Sequence, residues 1–311
     1  MRIVIAGGTG FLGRPLAAAL VAAGHDAVIL TRAATPAGMP AGARAVHWVP
    51  GGTTGPWTAE VDGAGAIINL AGESIAATRW SAEHKRRILE SRVNATRSLV
   101  EAARAATAPP SVFVSGSAVG YYGPHGDEIL TEEAAAGRDF LAGVCVQWET
   151  EAQRASGPRT RVVCVRTGLV LEKDGGALPQ MLLPFKLGAG GPVGTGRQYW
   201  PWIHRQDWID LVRWTIDTTN ASGPVNATAP APVTNKAFAR ALGRAMHRPA
   251  IMPAPAFALR LMLGEMADAL LLSGQRAVPA KAERLGFTPR YSQIDEALRA
   301  IFDGESVVNG H

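Results

Sequence analysis

Three glycines three residues apart, Gly7, Gly10 and Gly13, follow directly on the apolar run Ile3-Val4-Ile5-Ala6 and precede an alanine-rich segment. That order reads as a buried strand, a tight turn and a helix, and it makes a site for phosphate. Gly7 lets the chain turn sharply off the strand, Gly10 has no side chain to hold a pyrophosphate away, and Gly13 lets the helix pack close to the strand. Thr9, Phe11 and Leu12 are the intervening members of the same loop, and the free N–H groups at the helix start face the anion.

The second strand, Ala27-Val28-Ile29-Leu30, ends in Thr31-Arg32, nineteen residues beyond Gly13. An acid at that distance would accept a ribose 2′-hydroxyl; the guanidinium of Arg32 instead suits a 2′-phosphate. The expected cofactor is therefore NADP(H) and not NAD. A plain solvated arginine is the alternative. A second reactive cluster is Ser115-Gly116-Ser117, followed by Tyr121-Tyr122-Gly123. Hydroxyls at the carboxyl end of a strand stand where an α/β sheet keeps its reactive groups, though serines there also satisfy strand-end backbone.

The elements that would position these groups alternate. Strands are expected at 45–49, 66–70, 111–115 and 161–165, with helices at 81–106 and 140–155 between them. This is the pattern of a Rossmann-type, doubly wound parallel α/β sheet of seven strands. From about Gly168 the pattern changes to glycine- and proline-rich loops. The expected division is a nucleotide-binding domain over 1–167 plus about 203–228, and a smaller C-terminal substrate domain over 168–202 and 229–311. Trp202 and His204, beside glycine-rich loops, could wall a substrate pocket or simply fill a core. Lys85 and Arg92, on the helix 81–106, are expected mainly in solvent, with an anionic substrate as their other use. The apolar stretch Phe257 to Leu272 is expected to be one buried helix, with a dimer contact as the runner-up.

Composition narrows the class. With 47% hydrophobic and 18% charged residues in 311, a sizeable core is expected and disorder is not. The net charge of +5 is spread along the chain without a basic stripe, which suits anionic small molecules and not nucleic acid. Cys145 and Cys164 stand in no metal or disulfide spacing and read as reduced thiols, and the seven histidines show no metal spacing, so no metal site is expected. Neither a leader nor a membrane-spanning segment is visible, which points to a cytoplasmic protein, monomer or homodimer, with no membrane partner.

Taken with Asn69-Leu70-Ala71-Gly72 and Trp202-Ile203-His204 before Asp207, the glycine loop and the serine–tyrosine run resemble the extended short-chain dehydrogenase/reductases. Trp80 through Ser91-Arg92, the segment Cys145 to Trp148-Glu149, and a tail with Val278-Pro279 and Leu285-Gly286-Phe287 are similar to the epimerase-like subfamily with its own C-terminal domain. The resemblance implies that Leu70, Ala71 and Gly72 flank the adenosine, with Ser115 counted among the cofactor residues, and that Thr167, Gly168 and Leu169 approach the nicotinamide. It makes Ser117 the catalytic serine. The family's tyrosine and lysine, four residues apart, would fall near Gly143 and Gln147 and are missing. Two readings compete: Tyr121 or Tyr122 supplies the acid and the protein is an NADP-dependent oxidoreductase, epimerase or dehydratase on a small or nucleotide-linked polar substrate; or it is a non-catalytic, redox-sensing NADP(H)-binding module.

Overall fold

The computed structural model describes residues 1–33 and 36–303. The chain packs as two compact units: Met1–Tyr121, Ala142–Arg166 and Ile209–Val225 form the first, and Tyr122–Leu141, Thr167–Trp208 and the chain from Asn226 form the second. Residues 304–311 of the expected C-terminal domain lie outside the described residues.

A seven-stranded sheet organises the first unit. Its strands are β1 (Arg2–Ala6), β2 (Asp26–Thr31), β3 (Arg44–His47), β4 (Ala66–Asn69), β5 (Val112–Ala118), β6 (Arg161–Thr167) and β7 (Gly223–Ala227), in the order β7-β6-β5-β4-β1-β2-β3. β1 pairs in parallel with both β2 and β4, so the winding reverses beside β1. That reversal is the switch point where a doubly wound sheet opens a crevice. Ile3 to Ala6 have no exposed surface, which is why β1 is apolar throughout and does not alternate.

Helices α1 (Gly13–Ala22), α2 (Ala82–Ala105), α3 (Phe140–Gln153) and α4 (Arg205–Asp217) complete the winding. The Ser81 side chain accepts from the His84 N–H at 3.1 Å, satisfying one of the donors that open α2. Val4, Leu30, Ile67, Leu99 and Phe113 meet in one core, so strands and α2 are held by apolar burial.

Among its described residues the second unit has no large sheet of its own. Three short ribbons serve instead: Leu169–Leu171 with Trp202–His204, Tyr199–Trp200 with Val233–Thr234, and Ile129–Leu130 with Arg276–Ala277. The helices Leu178–Lys186, Asn235–Met246 and Ile294–Asp303 pack around Trp200, Trp202, Phe238 and Leu298.

Two expectations are corrected here. Residues 122–141 and 203–208, placed by the sequence in the nucleotide domain, pack in the second unit. Buried carboxylates tie both to distant chain: Glu132 accepts from the Asn226 N–H at 3.0 Å and the Lys281 N–H at 3.1 Å, and Asp207 from the Arg290 N–H at 2.7 Å and the Tyr291 N–H at 3.1 Å. The stretch from Phe257 to Leu272 is not one helix either. Gly264, at φ +62°, ends the helix Ala256–Leu263, and a short helical turn, Glu265–Ala267, and a π-helical turn, Asp268–Leu272, follow. Gly tolerates that conformation where another residue would be strained.

Tyr122 is wholly buried in the second unit and donates its hydroxyl to Asn226 Oδ1 at 2.7 Å; Asn226 Nδ2 donates onward to the Val278 carbonyl at 2.9 Å. Removing the hydroxyl strands a buried acceptor. Tyr122→Phe is expected to lower the unfolding free energy by about 1–3 kcal/mol, seen as a lower urea midpoint. A midpoint equal to wild type would show that Asn226 finds another donor.

Candidate functional site

The glycine loop is shaped by close approach. Gly7 has φ +79°, and a Cβ on it would lie 2.7 Å from the Leu70 carbonyl and 2.9 Å from the Ala71 nitrogen. The Gly10 N–H donates to the Gly7 carbonyl at 3.0 Å and closes the turn. A Cβ on Gly10 would meet only that carbonyl oxygen, at 3.3 Å, with nothing else within 4 Å. A Cβ on Gly13 would strike the Gly7 carbonyl oxygen and sit 2.7 Å from Gly8 Cα. Gly7 and Gly13 are thus fixed by packing, whereas Gly10 keeps space clear.

α1 begins at Gly13 with Leu12 as its cap, no side chain caps its first turn, and that turn carries no acid. Backbone donors with open space before them and no competing carboxylate fit a pyrophosphate. Leu70 and Ala71, expected beside the cofactor, form the wall against which Gly7 packs. Asn69 Oδ1 accepts from the Ala71 N–H at 3.2 Å while its Nδ2 donates to Thr96 at 2.8 Å, which pins that wall to α2.

Arg32 is exposed one residue beyond β2. Arg14, which the sequence did not single out, joins the surroundings of this loop. Its NH2 donates to the Thr9 carbonyl at 3.4 Å, and a Cβ on Gly38 would lie 2.9 Å from its NH1.

At the carboxyl end of β5 the structure assembles a group the sequence showed only in part. Ser117 Oγ donates to Glu149 Oε1 at 2.6 Å. Arg166, at the end of β6, holds both oxygens of Glu149 from Nε and NH2, each at 2.8 Å. The guanidinium carbon of Arg166 lies 3.4 Å from the centroid of the Tyr121 ring. Arg166 is 3% exposed, so this bidentate pair is an ion pair removed from water. Ser117 and Tyr121 are thereby brought together by two residues that carried no expected role. A strand running Val162 to Val165 and ending in arginine was the one signal available: a buried guanidinium demands a carboxylate.

The positions of the missing tyrosine and lysine give nothing in return. Gln147 Nε2 donates to the Gly143 carbonyl at 3.3 Å on an exposed face. Glu149, two residues on, points its carboxylate to Ser117 from the same helix. Cys145, also on α3, is buried with its Sγ 3.7 Å from the Ala118 carbonyl, and burial pushes its thiol up to about 11. It is an inert thiol.

Arg92 is half-buried. One nitrogen donates to the carbonyls of Glu73 and Ile88, both at 2.9 Å; its guanidinium lies 5.2 Å from the Trp148 ring centroid, and a Cβ on Gly72 would come within 3.1 Å of it. Lys85 Nζ lies 5.6 Å from the Trp80 centroid. Ser115 is buried and its hydroxyl donates to the Gly116 carbonyl at 3.1 Å.

Residues 3–227 match the model of the NAD dependent epimerase/dehydratase family. The chain belongs to that family. Residues 254–301 match a domain of unknown function, DUF1731. The epimerase family protein Mb2239 of Mycobacterium bovis is 42% identical over 298 residues, covering 95% of this chain and 96% of that protein. The crystal structure of human epimerase family protein SDR39U1 (isoform 2) with NADPH superposes with a TM-score of 0.89 at 33% identity, over 98% of this chain and 100% of that one. The nucleoside-diphosphate sugar epimerase from Corynebacterium glutamicum is 35% identical with a TM-score of 0.75, covering 97% of this chain and 58% of that one. The family is the one that the glycine loop and the serine–tyrosine run resembled.

In this member of the epimerase family the remaining candidates lie in the second unit. Thr167 Oγ1 accepts from the Trp208 indole at 3.1 Å, and the N–H groups of Gly168 and Leu169 donate to the carbonyls of Ala227 at 3.0 Å and Pro201 at 2.7 Å. Trp202 is fully buried and donates its indole N–H to the Ala231 carbonyl at 3.0 Å. His204 is 8% exposed, accepts at Nδ1 from the Gln206 N–H at 3.1 Å and lies 4.3 Å from the Tyr291 ring centroid. Trp202 and His204 are thus held in place by packing and hydrogen bonds within the second unit. Among the described residues no cluster able to hold a metal occurs, and no helix is long and apolar enough to cross a membrane.

Burial, with Arg205 and Arg290 adding repulsion, pushes the His204 pKa down to about 4 from 6.5. The unfolded chain takes up the proton first as pH falls. The stability this histidine contributes is complete above pH 6.5 and is lost progressively toward pH 4, by up to about 1.4 kcal/mol per pH unit. Thermal midpoints followed over this range are expected to fall less steeply for His204→Asn than for wild type. Parallel curves would assign the acid sensitivity elsewhere.

Proposed function

We propose that the protein is an NADP(H)-dependent oxidoreductase or epimerase acting at a carbon–oxygen centre of a polar, small or nucleotide-linked substrate. The observation that carries this reading is the hydrogen bond from Ser117 to a carboxylate that a buried arginine holds by both oxygens. A module that only sensed the nucleotide would need the glycine loop and not this arrangement.

The open space over Gly10, the uncapped start of α1 and the exposed Arg32 suit the two phosphate-bearing parts of NADP(H), and Arg14, in the first turn of α1, is a second cation beside the glycine loop. When bound, the cofactor supplies or accepts the hydride. The protein must then move one proton at the substrate oxygen. The Ser117 hydroxyl donates its hydrogen bond to Glu149 and keeps its proton, so its oxygen lone pairs are left to accept a hydrogen bond from a substrate hydroxyl. In the oxidising direction that hydroxyl's proton passes to Ser117 Oγ while the serine proton moves to Glu149; the reducing direction runs the same transfers backwards. Arg166 holds the carboxylate in line and Tyr121 carries the guanidinium on its ring face. A Ser–Glu relay thus takes the place of the absent tyrosine and lysine.

Support from relatives is consistent: human SDR39U1 was crystallised with NADPH, and the Corynebacterium relative is described as a nucleoside-diphosphate sugar epimerase. Fluorescence titration is expected to show NADPH binding more tightly than NADH, with Arg32→Asp weakening NADPH by about 10–100-fold, the worth of a lost charge-assisted pair. Failure of both nucleotides to bind at millimolar concentration would overturn the reading. On a panel of carbonyl and nucleotide-sugar substrates, Ser117→Ala and Glu149→Gln are each expected to cut kcat by about 100-fold or more while NADPH affinity stays within about twofold. Wild-type protein that binds NADPH tightly yet turns over nothing on the panel would favour the sensing module.

A further inference from the structure

Among the described residues, five of the eleven large apolar side chains left exposed fall within twelve residues: Ile251, Met252, Phe257, Leu261 and Met262, between 56% and 78% exposed. The helix Ala256–Leu263 buries none of its residues. Phe257 and Leu261, one turn apart, share a face of it. This is the reverse of the buried helix that the composition of the stretch suggests.

The patch extends beyond this helix. Met252 N–H donates to the Gly190 carbonyl at 3.1 Å, Ala254 N–H to Pro192 at 2.8 Å, and Gly194 N–H to Ala254 at 2.9 Å. That ribbon joins the segment to the end of the helix Leu178–Lys186, beside which Leu183 and Leu187 are 59% and 74% exposed. Exposed apolar surface on this scale marks a contact.

The neighbouring charge says with what. Ile251 and Arg240 line two open hollows, one shared with Arg244 and Arg248 and the other with Lys236. Arg244 is paired with Asp295 at 2.7 Å, but among the described residues no carboxylate pairs with Lys236, Arg240 or Arg248. A second copy docked about a two-fold axis would set these same unmatched cations against one another. A bilayer carrying anionic headgroups meets both halves of the surface: aliphatic and phenyl groups enter the headgroup boundary while Lys and Arg reach the phosphates.

We propose that this face of the second unit docks on the surface of an anionic phospholipid bilayer, lying in the interface without crossing it. The inference stands apart from the reading of the Ser117 site. Sedimentation of the full chain with phosphatidylcholine vesicles, with and without phosphatidylglycerol, tests it. Binding is expected only to the anionic vesicles and is expected to weaken as salt rises. Phe257→Glu with Leu261→Glu should abolish it, and Lys236→Gln with Arg240→Gln should weaken it about tenfold or more. All four positions are exposed, so circular dichroism and the thermal midpoint should match wild type. Absence of vesicle binding, or binding that the Phe257/Leu261 variant leaves intact, overturns the proposal. So does a dimer in light scattering that the same variant dissociates while vesicles go unbound, since a second copy then covers the face.

Discussion

A guanidinium buried at the end of a strand sets the terms for the centre of this molecule. Arg166 cannot shed its proton, and removed from water it must have a carboxylate within reach. Glu149 meets that need with both oxygens, which fixes the rotation of α3 against β6 and leaves one carboxylate edge for Ser117 on β5. Three elements are thus aligned by one ion pair. Breaking such a pair by removing one partner typically costs about 3–5 kcal/mol, because the other charge is left stranded. Structural and chemical demands on Glu149 therefore coincide.

Much of the first unit was legible in the sequence because it rests on local rules. The apolar run before Gly7, the glycine spacing and the run Ala27 to Leu30 announce strand, turn, helix and strand through burial and backbone freedom alone. The Ser117–Glu149–Arg166 group was not legible in that way. Its members lie on three elements, 32 and 17 residues apart, and no periodicity links a hydroxyl on one strand to an acid on the next helix. The fixed spacing of the family's tyrosine and lysine points to Gly143 and Gln147 and passes over Glu149 on the same helix.

The aromatic residues show the opposite failure. Trp202 stands in glycine-rich surroundings that read equally as pocket wall or core, His204 beside it reads the same way, and Tyr122 reads as a candidate acid. Only the partners decide: Asn226 for Tyr122, the Ala231 carbonyl for Trp202 and the Gln206 N–H with the Tyr291 ring for His204. Hydropathy misleads similarly over 257–272, since an apolar stretch predicts burial only when something is available to cover it. Gly264 interrupts the helix there, and the exposed face before it is left to meet something outside the chain.

The ribbon of Ile129–Leu130 with Arg276–Ala277 bears on where this chain can be cut. By sequence the chain divides once, into a family segment over 3–227 and a second over 254–301. The second unit ignores that division. Its ribbon, the Glu132 bond to Lys281, the Asn226 bond to Val278 and the Asp207 bonds to Arg290 and Tyr291 all run between the two segments. The C-terminal segment is the closing third of a unit begun at Tyr122 and not a detachable module. A truncation near residue 250 would leave Ile129–Leu130 without its ribbon partner and take away partners of Glu132 and Asp207, so the first segment depends on the second for its own packing.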